Sequence, residues 1–469
     1  MVFSSTVFLM IYLPFVWGVH AIIPKRFLAA RNVFLAIASL LFYAYGEPFY
    51  IVLMLGSVLI NYLSALWINK LSGKGKNAVC FATVALNIGM LGVFKYSPWL
   101  ISMLNSVSGL DLHVPEITIP VGISFYTFQI LSYVVDVKRG KTAVQKKFFD
   151  LLLYISFFPQ LIAGPIVKYG DINDQIAYRE ITPEKTAQGI RRFVYGLSKK
   201  VLISNTAAVI VDAAFVADGI SSAFAWLGAV AYCIQIYFDF SGYSDMAIGL
   251  AKMFGFDLLE NFNYPYSAVS IRDFWKRWHI SLTSWFREYV YFPLGGNRAG
   301  KVRTVLNRLI VFFLTGLWHG ANFTFIVWGL WHGLLMMFEQ VVHFDKLTKK
   351  GYLRPITWIY TFVAVCLGFV VFRAPDISTA FAYIGSMFSF SGGFNDALLH
   401  FSPYNCLFLV FAVIFAMPVV PALKKLNTKN EKGSVIGEAL SYVLCIPLLV
   451  LCIMSLASST FNPFIYYHF

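Results

Sequence analysis

The stretch LIVFFLTGLWHGANFTFIVWGLWHGLLMMF, from Leu309 to Phe338, contains thirty residues and no Asp, Glu, Lys or Arg. Because a helix needs about 20 apolar residues to cross the hydrocarbon core of a bilayer, the stretch predicts one membrane span or two half-spans. His319 lies near its middle. An ionisable side chain at membrane depth is costly and usually functional, so His319 is the first candidate site residue.

Charge-free runs of this kind recur along all 469 residues. Hydrophobic residues make up 58% of the chain and charged residues 13%, about half the charged fraction of a soluble protein. We therefore predict an all-α polytopic membrane protein with about eleven or twelve transmembrane helices plus interfacial or re-entrant helices.

The net charge of +14 comes from basic residues that cluster between the apolar runs. The positive-inside rule explains this pattern better than nucleic-acid binding does. The first apolar run has no basic residue before it, and Lys25, Arg26 and Arg31 follow it. This order differs from that of a cleavable signal peptide and predicts an N-terminus outside. A basic loop, Lys424–Lys432, precedes the last apolar run, so the C-terminus is also predicted outside.

Metal and redox chemistry have no sequence signal in this chain. Its six cysteines lie in apolar segments without a CxxC pair, and its eight histidines show no HxxxH or HExxH spacing. Small buried cysteines are the ordinary interpretation of such a pattern. We therefore expect no metal site and no bound cofactor.

The chain is interpreted as one membrane domain, residues 1–469, with three parts. Residues 1–116 and residues 341–469 are plain outer spans, whereas residues 117–340 carry most of the Pro, Gly, Asp, Arg and His that lie near apolar sequence. Irregular polar backbone at membrane depth is tolerated only where it lines a cavity or is buried in protein. The middle part is therefore where we expect the functional site.

The segment SIRDFWKRWHISLTSWFREYVYFPLGGNR, from Ser270 to Arg298, combines aromatic and basic residues. Its apolar positions recur at helical spacing, which predicts a helix lying in the cytoplasmic interface. His279 falls on the edge of the buried stripe, either as a satisfied structural histidine or as a site residue. The basic side chains either anchor the helix or bind the phosphates of a donor substrate; they are Arg272, Lys276, Arg277 and Arg287.

The segment FDFSGYSDMAIGLAKMFGF, from Phe238 to Phe256, places Asp239 and Asp245 directly after a charge-free run. Carboxylates at membrane depth need partners, and the basic helix could supply an Arg or Lys. A folding ion pair is the alternative to a functional role for each carboxylate.

The opening stretch contains a second histidine, His332, thirteen residues after His319. Its glycines let backbones or a ligand come close, and three tryptophans, Trp318, Trp328 and Trp331, could wall a pocket. Desolvation disfavours the imidazolium, so a buried imidazole remains available as a general base at neutral pH.

Five ordered segments of this chain resemble motifs of the membrane-bound O-acyltransferase superfamily. The likeness is strongest to its bacterial branch, that of the alginate O-acetylation and teichoic-acid D-alanylation membrane subunits. The segments are IPVGISFYTFQILSYVVDVKRG (Ile119–Gly140), FFPQLIAGPIVKY (Phe157–Tyr169), DFSGYSDMAIGLA (Asp239–Ala251), FWKRWHISLTSWFREYVYFPLGGN (Phe274–Asn297) and TGLWHGANFTFIVWGLWHG (Thr315–Gly333).

The resemblance implies a ring of tilted helices around a thinned centre, which a tunnel crosses. His319 matches the catalytic histidine of the family. His279 matches a histidine that faces the same tunnel, and we expect it to position or polarise the acyl carbonyl. The other expected tunnel-lining residues are Asp239, Asp245, Trp318, Asn322 and His332.

The resemblance also implies a function in a bacterial cytoplasmic membrane. Acetyl from cytoplasmic acetyl-CoA would reach an extracytoplasmic polysaccharide through a partner enzyme of the SGNH type. The C-terminal residues FIYYHF, Phe464 to Phe469, look like the short tyrosine motif of these systems, with Tyr466 as acyl relay. An aromatic belt at the outer interface is the alternative interpretation of this tail.

Two other functions are considered. One is D-alanyl transfer from a carrier protein to teichoic acid, which the motifs do not separate from acetyl transfer. The other is transport, since intramembrane Asp and His residues also serve as proton relays. The chain has no repeated halves and no pair of broken helices in matching positions, which argues against a transporter.

Overall fold

The computed structural model describes residues 1–217, 219–298, 300–427 and 431–458. These residues form helices, turns and connecting segments, with no β-strand among them. They divide into two compact units, one of Met1–Phe193 with Ser244–Leu259 and one of Val194–Tyr243 with Glu260–Phe469. The predicted division at residues 116 and 340 stays a prediction.

Helices long and apolar enough to cross a membrane number six among the described residues. Three further apolar helices are shorter: Phe8–Ile22, Ile377–Phe388 and Pro403–Ala416. The prediction of an all-α polytopic membrane protein is confirmed. The six long helices are Leu28–Gly46, Tyr50–Lys70, Gly73–Ser108, Ser222–Met253, Gly351–Arg373 and Val435–Ser458.

Several charge-free runs form short helices, which explains why six is smaller than the predicted number of spans. The run from residue 151 to residue 167 is one example, because its first helix ends at Ser156 and a four-residue helix, Phe158–Leu161, follows. Pro159 lacks the amide hydrogen that a continuous helix would use there. The Tyr154 hydroxyl donates to the Val167 carbonyl over 2.8 Å and fixes the returning chain.

Polar side chains connect the helices of the first unit. The amides of Asn61 and Asn87 bond each other over 3.1 and 2.8 Å. Arg179 donates to the Asn32 side chain over 2.7 Å and to the Phe254 carbonyl over 2.9 Å. Such bonds compensate for the weak hydrophobic drive between helices in lipid. The helices wholly within this unit are Phe8–Tyr12, Leu13–Ile22, Leu28–Gly46, Tyr50–Lys70, Gly73–Ser108, Ile123–Arg139, Phe148–Ser156, Phe158–Leu161 and Tyr169–Ala177.

The second unit contains the charge-free stretch from Leu309 to Phe338. Pro183–Ser198 and Ser222–Met253 contribute residues to both units. The remaining helices belong to the second unit alone: Lys199–Ser204, Asn205–Val216, Pro265–Ser267, Ile271–Arg277, Ile280–Phe286, Arg287–Tyr291, Lys301–His319, Phe323–Val341, Phe344–Thr348, Gly351–Leu353, Arg354–Arg373, Ile377–Phe388, Asn395–Leu398, Pro403–Ala416, Val419–Asn427, Glu431–Val443 and Cys445–Ser458.

The stretch itself forms an antiparallel helical hairpin, Lys301–His319 and Phe323–Val341, with a three-residue turn between its arms. A Cβ atom on Gly316 would lie 2.2 Å from the Phe325 carbonyl oxygen, and one on Gly329 would lie 2.3 Å from the Phe312 carbonyl oxygen. The glycines therefore let the two arms touch through their backbones, as predicted. His319 is the last residue of the first arm, at the tip of the hairpin.

The helix Arg354–Arg373 packs along the second arm of the hairpin. The indole Nε1–H of Trp331 donates to the Ala364 carbonyl of this helix over 2.9 Å. Trp331 thus joins two helices, and its place in the wall of a pocket stays a prediction.

Candidate active site

The imidazole of His319 lies inside an aromatic cage formed by Trp318, Trp328 and Phe372. Its ring centroid is 4.9 Å from Trp318, 5.0 Å from Trp328 and 5.2 Å from Phe372, in edge-to-face arrangements. Only 6% of the residue is exposed. Such surroundings limit the contact of the imidazole with water. The hairpin supplies both tryptophans, and the helix Arg354–Arg373 supplies Phe372.

Gly320, which follows His319, makes room for another side of this cage. A Cβ atom at Gly320 would lie 2.3 Å from the Phe325 ring, and the Phe325 ring in turn packs 4.9 Å from Phe372. The glycine has an extended backbone that other residues also adopt. Glycine is therefore needed at this position because a Cβ atom would occupy the space of the Phe325 ring.

His279 lies where the predicted interfacial helix is broken, so the prediction of one continuous helix there is wrong. The structure has two seven-residue helices, Ile271–Arg277 and Ile280–Phe286, separated by Trp278 and His279. The break has a long-range cause. The Asn263 amide donates to the Arg277 carbonyl and the Ile280 amide donates to the Asn261 carbonyl, each over 2.9 Å. The segment 261–263 thus takes backbone bonds that a continuous helix would make itself.

The His279 side chain is 1% exposed and packs edge-on against Phe240 at 4.6 Å. Its Nδ1 atom lies 3.2 Å from the side-chain oxygen of Asn261. The helices Ile271–Arg277 and Ile280–Phe286, on either side of His279, are too short to span a membrane. Burial of the imidazole lowers the pKa of His279 from 6.5 to about 3. The imidazole is therefore neutral at physiological pH.

Trp318 connects the two predicted site histidines. Its ring lies 6.2 Å from the His279 ring and 4.9 Å from the His319 ring. The structure thus brings His279, His319 and Trp318 into one buried cluster, as the motifs indicated. The chemical role of each histidine stays a prediction.

The two predicted tunnel aspartates are held in ion pairs. Asp239 Oδ1 lies 2.7 Å from Lys200 Nζ, and Asp245 Oδ1 lies 2.8 Å from Arg192. The partners come from the helices Pro183–Ser198 and Lys199–Ser204. The expectation that the basic segment 270–298 supplies them is therefore wrong, because the helices preceding Ser222–Met253 already provide a cation beside each carboxylate.

The four cations predicted to bind the donor differ in their exposure to solvent. Arg272, Lys276 and Arg287 are exposed, whereas Arg277 is half-buried and donates to Asp273 over 3.0 Å. The exposed Arg272 and Lys276 are four residues apart on one helix, so they share a face. This spacing leaves two adjacent cations on the helix Ile271–Arg277 to meet an anion.

Glu339 fixes the position of that helix. Its carboxylate accepts from the amides of Ile271 at 2.5 Å and Arg272 at 3.2 Å. A carboxylate at a helix N-terminus satisfies free amides and favours the helix dipole. Glu339 lies at the end of the hairpin, so the cap ties the cationic helix to the hairpin that carries His319.

Asn322 and His332 have structural contacts in the hairpin. Asn322 accepts from the Thr324 amide over 3.1 Å, which caps the second arm, and donates to the Pro375 carbonyl over 2.7 Å. The Nδ1–H of His332 donates to the Trp328 carbonyl over 3.0 Å inside the same arm. These contacts match the structural alternative for His332, and the tunnel-lining role of both residues stays a prediction.

Tyr466, the predicted acyl relay, lies outside the described residues, as do its neighbours in the C-terminal motif.

Sequence reasoning missed Asn261, Phe240, Phe372, Lys200 and Glu339. No spacing rule relates Asn261 to His279, which lies 18 residues away, or Phe372 to His319. Lys200 could have been predicted. An aspartate in an apolar helix needs a cationic partner, and few basic residues lie nearby in the sequence. Glu339, a lone carboxylate at the end of an apolar run, carried a similar signal.

Comparison with known proteins gives the following relations. The family model described as MBOAT, membrane-bound O-acyltransferase family, matches residues 87–374. A protein named probable alginate O-acetylase AlgI from Pseudomonas putida is 38% identical over the whole of both chains. A peptidoglycan O-acetyltransferase from Helicobacter pylori is 33% identical over 77% of this chain and 74% of its own. A teichoic acid D-alanyltransferase from Bacillus subtilis is 31% identical over 54% of this chain and 68% of its own.

Proposed function

The chain belongs to the membrane-bound O-acyltransferase family, and from that premise we propose that it carries acetyl from cytoplasmic acetyl-CoA towards an extracytoplasmic polysaccharide. It is a multi-pass membrane O-acyltransferase. Relatives named for O-acetylation match over longer stretches and at higher identity than those named for D-alanylation. This difference supports acetyl as the transferred group and a polysaccharide as the final acceptor.

The chemistry assigned to His319 is general-base catalysis. Its imidazole takes the proton from an acceptor O–H while the oxygen attacks the thioester carbonyl carbon. A C–O bond forms, the C–S bond breaks, and the leaving thiolate takes the proton back from the imidazolium. A desolvated imidazole suits this role because its base form persists at neutral pH.

One observation carries the proposal: two buried imidazoles from distant parts of the chain both contact Trp318. A hydrogen bond within its own helix holds His332 at Nδ1. Two ionisable side chains brought together beside one indole in a buried cluster favour a functional role.

The test uses the purified full chain in lipid nanodiscs with radiolabelled acetyl-CoA. We expect His319→Ala to lower the rate of acyl transfer by about 10²- to 10⁴-fold, which is the contribution of a general base. His343→Asn is the matched control. His343 is exposed and has a positive φ of 52°, a backbone that asparagine tolerates well.

Acetyl transfer at the wild-type rate by folded His319→Ala protein would sink the assignment of the base. Donor identity is tested in the same assay. If a D-alanyl carrier protein is consumed and acetyl-CoA is not, the D-alanyl alternative replaces acetyl transfer.

The delivery route is the second half of the proposal. Acetyl passes through Tyr466 to an extracytoplasmic partner enzyme of the SGNH type, at the outer face of a bacterial cytoplasmic membrane, with both termini outside. Support for this route comes from the resemblance of the C-terminal motif and from the acetylase names of the relatives.

A further inference from the structure

The side-chain oxygen of Asn261 receives three contacts in the core beside Phe240. The Ser281 amide lies 3.2 Å from it, the Ser281 hydroxyl 2.9 Å, and the Nδ1 atom of His279 3.2 Å. Asn261, His279 and Ser281 are all buried. The oxygen is therefore the common acceptor of the loop in which the helix Ile271–Arg277 ends and the helix Ile280–Phe286 begins.

The identity of these donors determines where the proton of His279 lies. A backbone amide can only donate, so the atom that faces the Ser281 amide must be the oxygen and not the nitrogen of the asparagine side chain. An amide oxygen can only accept, so the His279 Nδ1 that faces it must carry hydrogen. Neutral imidazole has one N–H, and its Nε2 atom is then a bare acceptor.

The backbone holds the ring in this orientation. His279 has φ 45° and ψ 55°, a left-handed conformation that is strained for a residue with a Cβ atom. The neighbouring Ile280 amide donates to the Asn261 carbonyl over 2.9 Å. Asn261 thus holds both the main chain next to His279 and the imidazole itself.

The Nε2 atom of His279 is buried and makes no hydrogen bond within the described part of the chain. Leaving such an atom without a partner costs about 1–3 kcal/mol, which natural proteins usually avoid. Its ring contacts Trp318, which also contacts His319. The ring that carries this acceptor atom therefore belongs to the cluster proposed to carry out acyl transfer.

We infer that Asn261 is a positioning residue that fixes His279 as the Nδ1–H tautomer, so that the bare Nε2 of His279 accepts a hydrogen bond from an N–H or O–H group of a bound substrate, other than the hydroxyl whose proton His319 takes. In this arrangement His279 positions a substrate and does not polarise the acyl carbonyl, because a bare Nε2 has no hydrogen to donate to a carbonyl oxygen. The bound substrate in this inference rests on the proposed function, whereas the tautomer does not.

Burial supports the same assignment. It lowers the pKa of His279 to about 3, which keeps the imidazole from becoming a double donor at neutral pH. The ring therefore keeps one N–H and one bare nitrogen at neutral pH.

The first test is nitrogen NMR of the full chain in nanodiscs with ¹⁵N-labelled histidine, with His279 assigned by the signals missing in His279→Gln. We expect a protonated, pyrrole-type Nδ1 and a bare, pyridine-type Nε2 at neutral pH. Asn261→Asp keeps an acceptor oxygen and should keep that pattern, whereas Asn261→Leu should lose it. A wild-type His279 with hydrogen on Nε2 overturns the inference, even if Asn261→Leu does not fold.

Ser281→Ala is the matched control, because it removes the hydroxyl bond to the same oxygen and leaves the imidazole contact. We expect it to keep the Nδ1–H signal. Loss of that signal in Ser281→Ala would show that packing of the loop, and not the Asn261 oxygen, selects the tautomer, and would overturn the role of Asn261.

The second test is kinetic and separates this inference from the proposed function. We expect Asn261→Leu to lower kcat by less than loss of the general base His319 does, which is about 10²- to 10⁴-fold, with an unchanged KM for acetyl-CoA. Asn261→Asp should restore part of the rate. Full activity in His279→Ala overturns the acceptor role of His279, whereas full activity in His319→Ala overturns the proposed function.

Discussion

At the scale of single residues, the ion pair of Lys200 and Asp239 is a deeply buried pair of charges. The two side chains are 3% and 2% exposed, and Nζ lies 2.7 Å from Oδ1. Phe240, the next residue after Asp239, packs against His279. The pair therefore fixes the part of the helix Ser222–Met253 that borders the candidate active site.

We predict that removing one partner of this pair is worse than removing both. Asp239→Leu should lower stability by about 3–5 kcal/mol, because it leaves the Lys200 ammonium buried without its carboxylate. Lys200→Met combined with Asp239→Leu should recover much of that loss. Thermal unfolding in detergent measures both, and a double variant as unstable as the single one would contradict the prediction.

Single residues also show the limits of sequence reasoning. The burial of His319 was predictable, because the residue lies inside a charge-free run, and the structure places its imidazole in an aromatic cage. Its catalytic role stays a prediction. Asn261 was not, because its importance depends on a contact with His279 that only the folded loop creates. Polar loop residues are common, and no periodicity distinguishes the one that meets a buried ring.

At the scale of elements, the hairpin Lys301–His319 and Phe323–Val341 depends on contact between its backbones. We predict that Gly316→Ala costs about 1–3 kcal/mol of stability through overpacking and also lowers acyl transfer, because the new Cβ would press on Phe325 beside the cage. Thermal unfolding and the acetyl-CoA assay, run on the same preparation, measure the two effects.

Gly89→Ala provides the matched control, since Gly89 lies in the membrane helix Gly73–Ser108 and a Cβ atom added there would meet nothing within 4 Å. Alanine has the higher helix propensity, by about 1 kcal/mol, so this change should be neutral or slightly stabilising. Equal losses in both variants would show that backbone contact in the hairpin is not the cause.

The helix Ile271–Arg277 carries a prediction about donor binding. Reversing the charge at Arg272 and Lys276 should raise the KM for acetyl-CoA, and added salt should reduce the difference from wild type. Arg277→Gln is the comparison, because Arg277 already binds Asp273 and should contribute less. An unchanged KM with lower protein yield would instead support ordinary anchoring at the interface.

The sequence predicted the type of these elements better than it predicted their boundaries. Apolar spacing correctly indicated helices on both sides of His279. It could not reveal the break at Trp278 and His279, because the segment 261–263 takes the backbone bonds there. The glycine spacing in the hairpin did predict close approach, since glycines at membrane depth have few other uses.

At the scale of the whole molecule, the charge-free runs were enough to predict an all-α polytopic protein, because no other fold satisfies the backbone in lipid except a closed barrel. They were not enough to number the spans, since turns divide several runs into shorter helices. The partners of Asp239 and Asp245 were also missed. The cations lie on other helices, earlier in the sequence, and only the fold shows which helices pack together.

The relay across the molecule can be tested at Tyr466. After incubation with acetyl-CoA, mass spectrometry of the C-terminal peptide should show acetyl on Tyr466 in wild type and in Tyr467→Phe, and none in His319→Ala. The reason is that a phenol, with a pKa of about 10, needs a base to attack a thioester. If Tyr466→Phe still supports full polysaccharide O-acetylation, the relay is wrong and the aromatic-belt interpretation stands.

The Lys200–Asp239 pair also bears on how the protein is made. The ribosome adds Lys200 thirty-nine residues before Asp239, and either charge alone would raise the cost of entering the bilayer centre by about 2.5–3.5 kcal/mol. Once paired, neither charge has to face lipid alone. We therefore expect the helix Ser222–Met253 to leave the insertion machinery already joined to the segment that carries Lys200. Assembly of the active site would then begin during synthesis, before the hairpin that carries His319 has been translated.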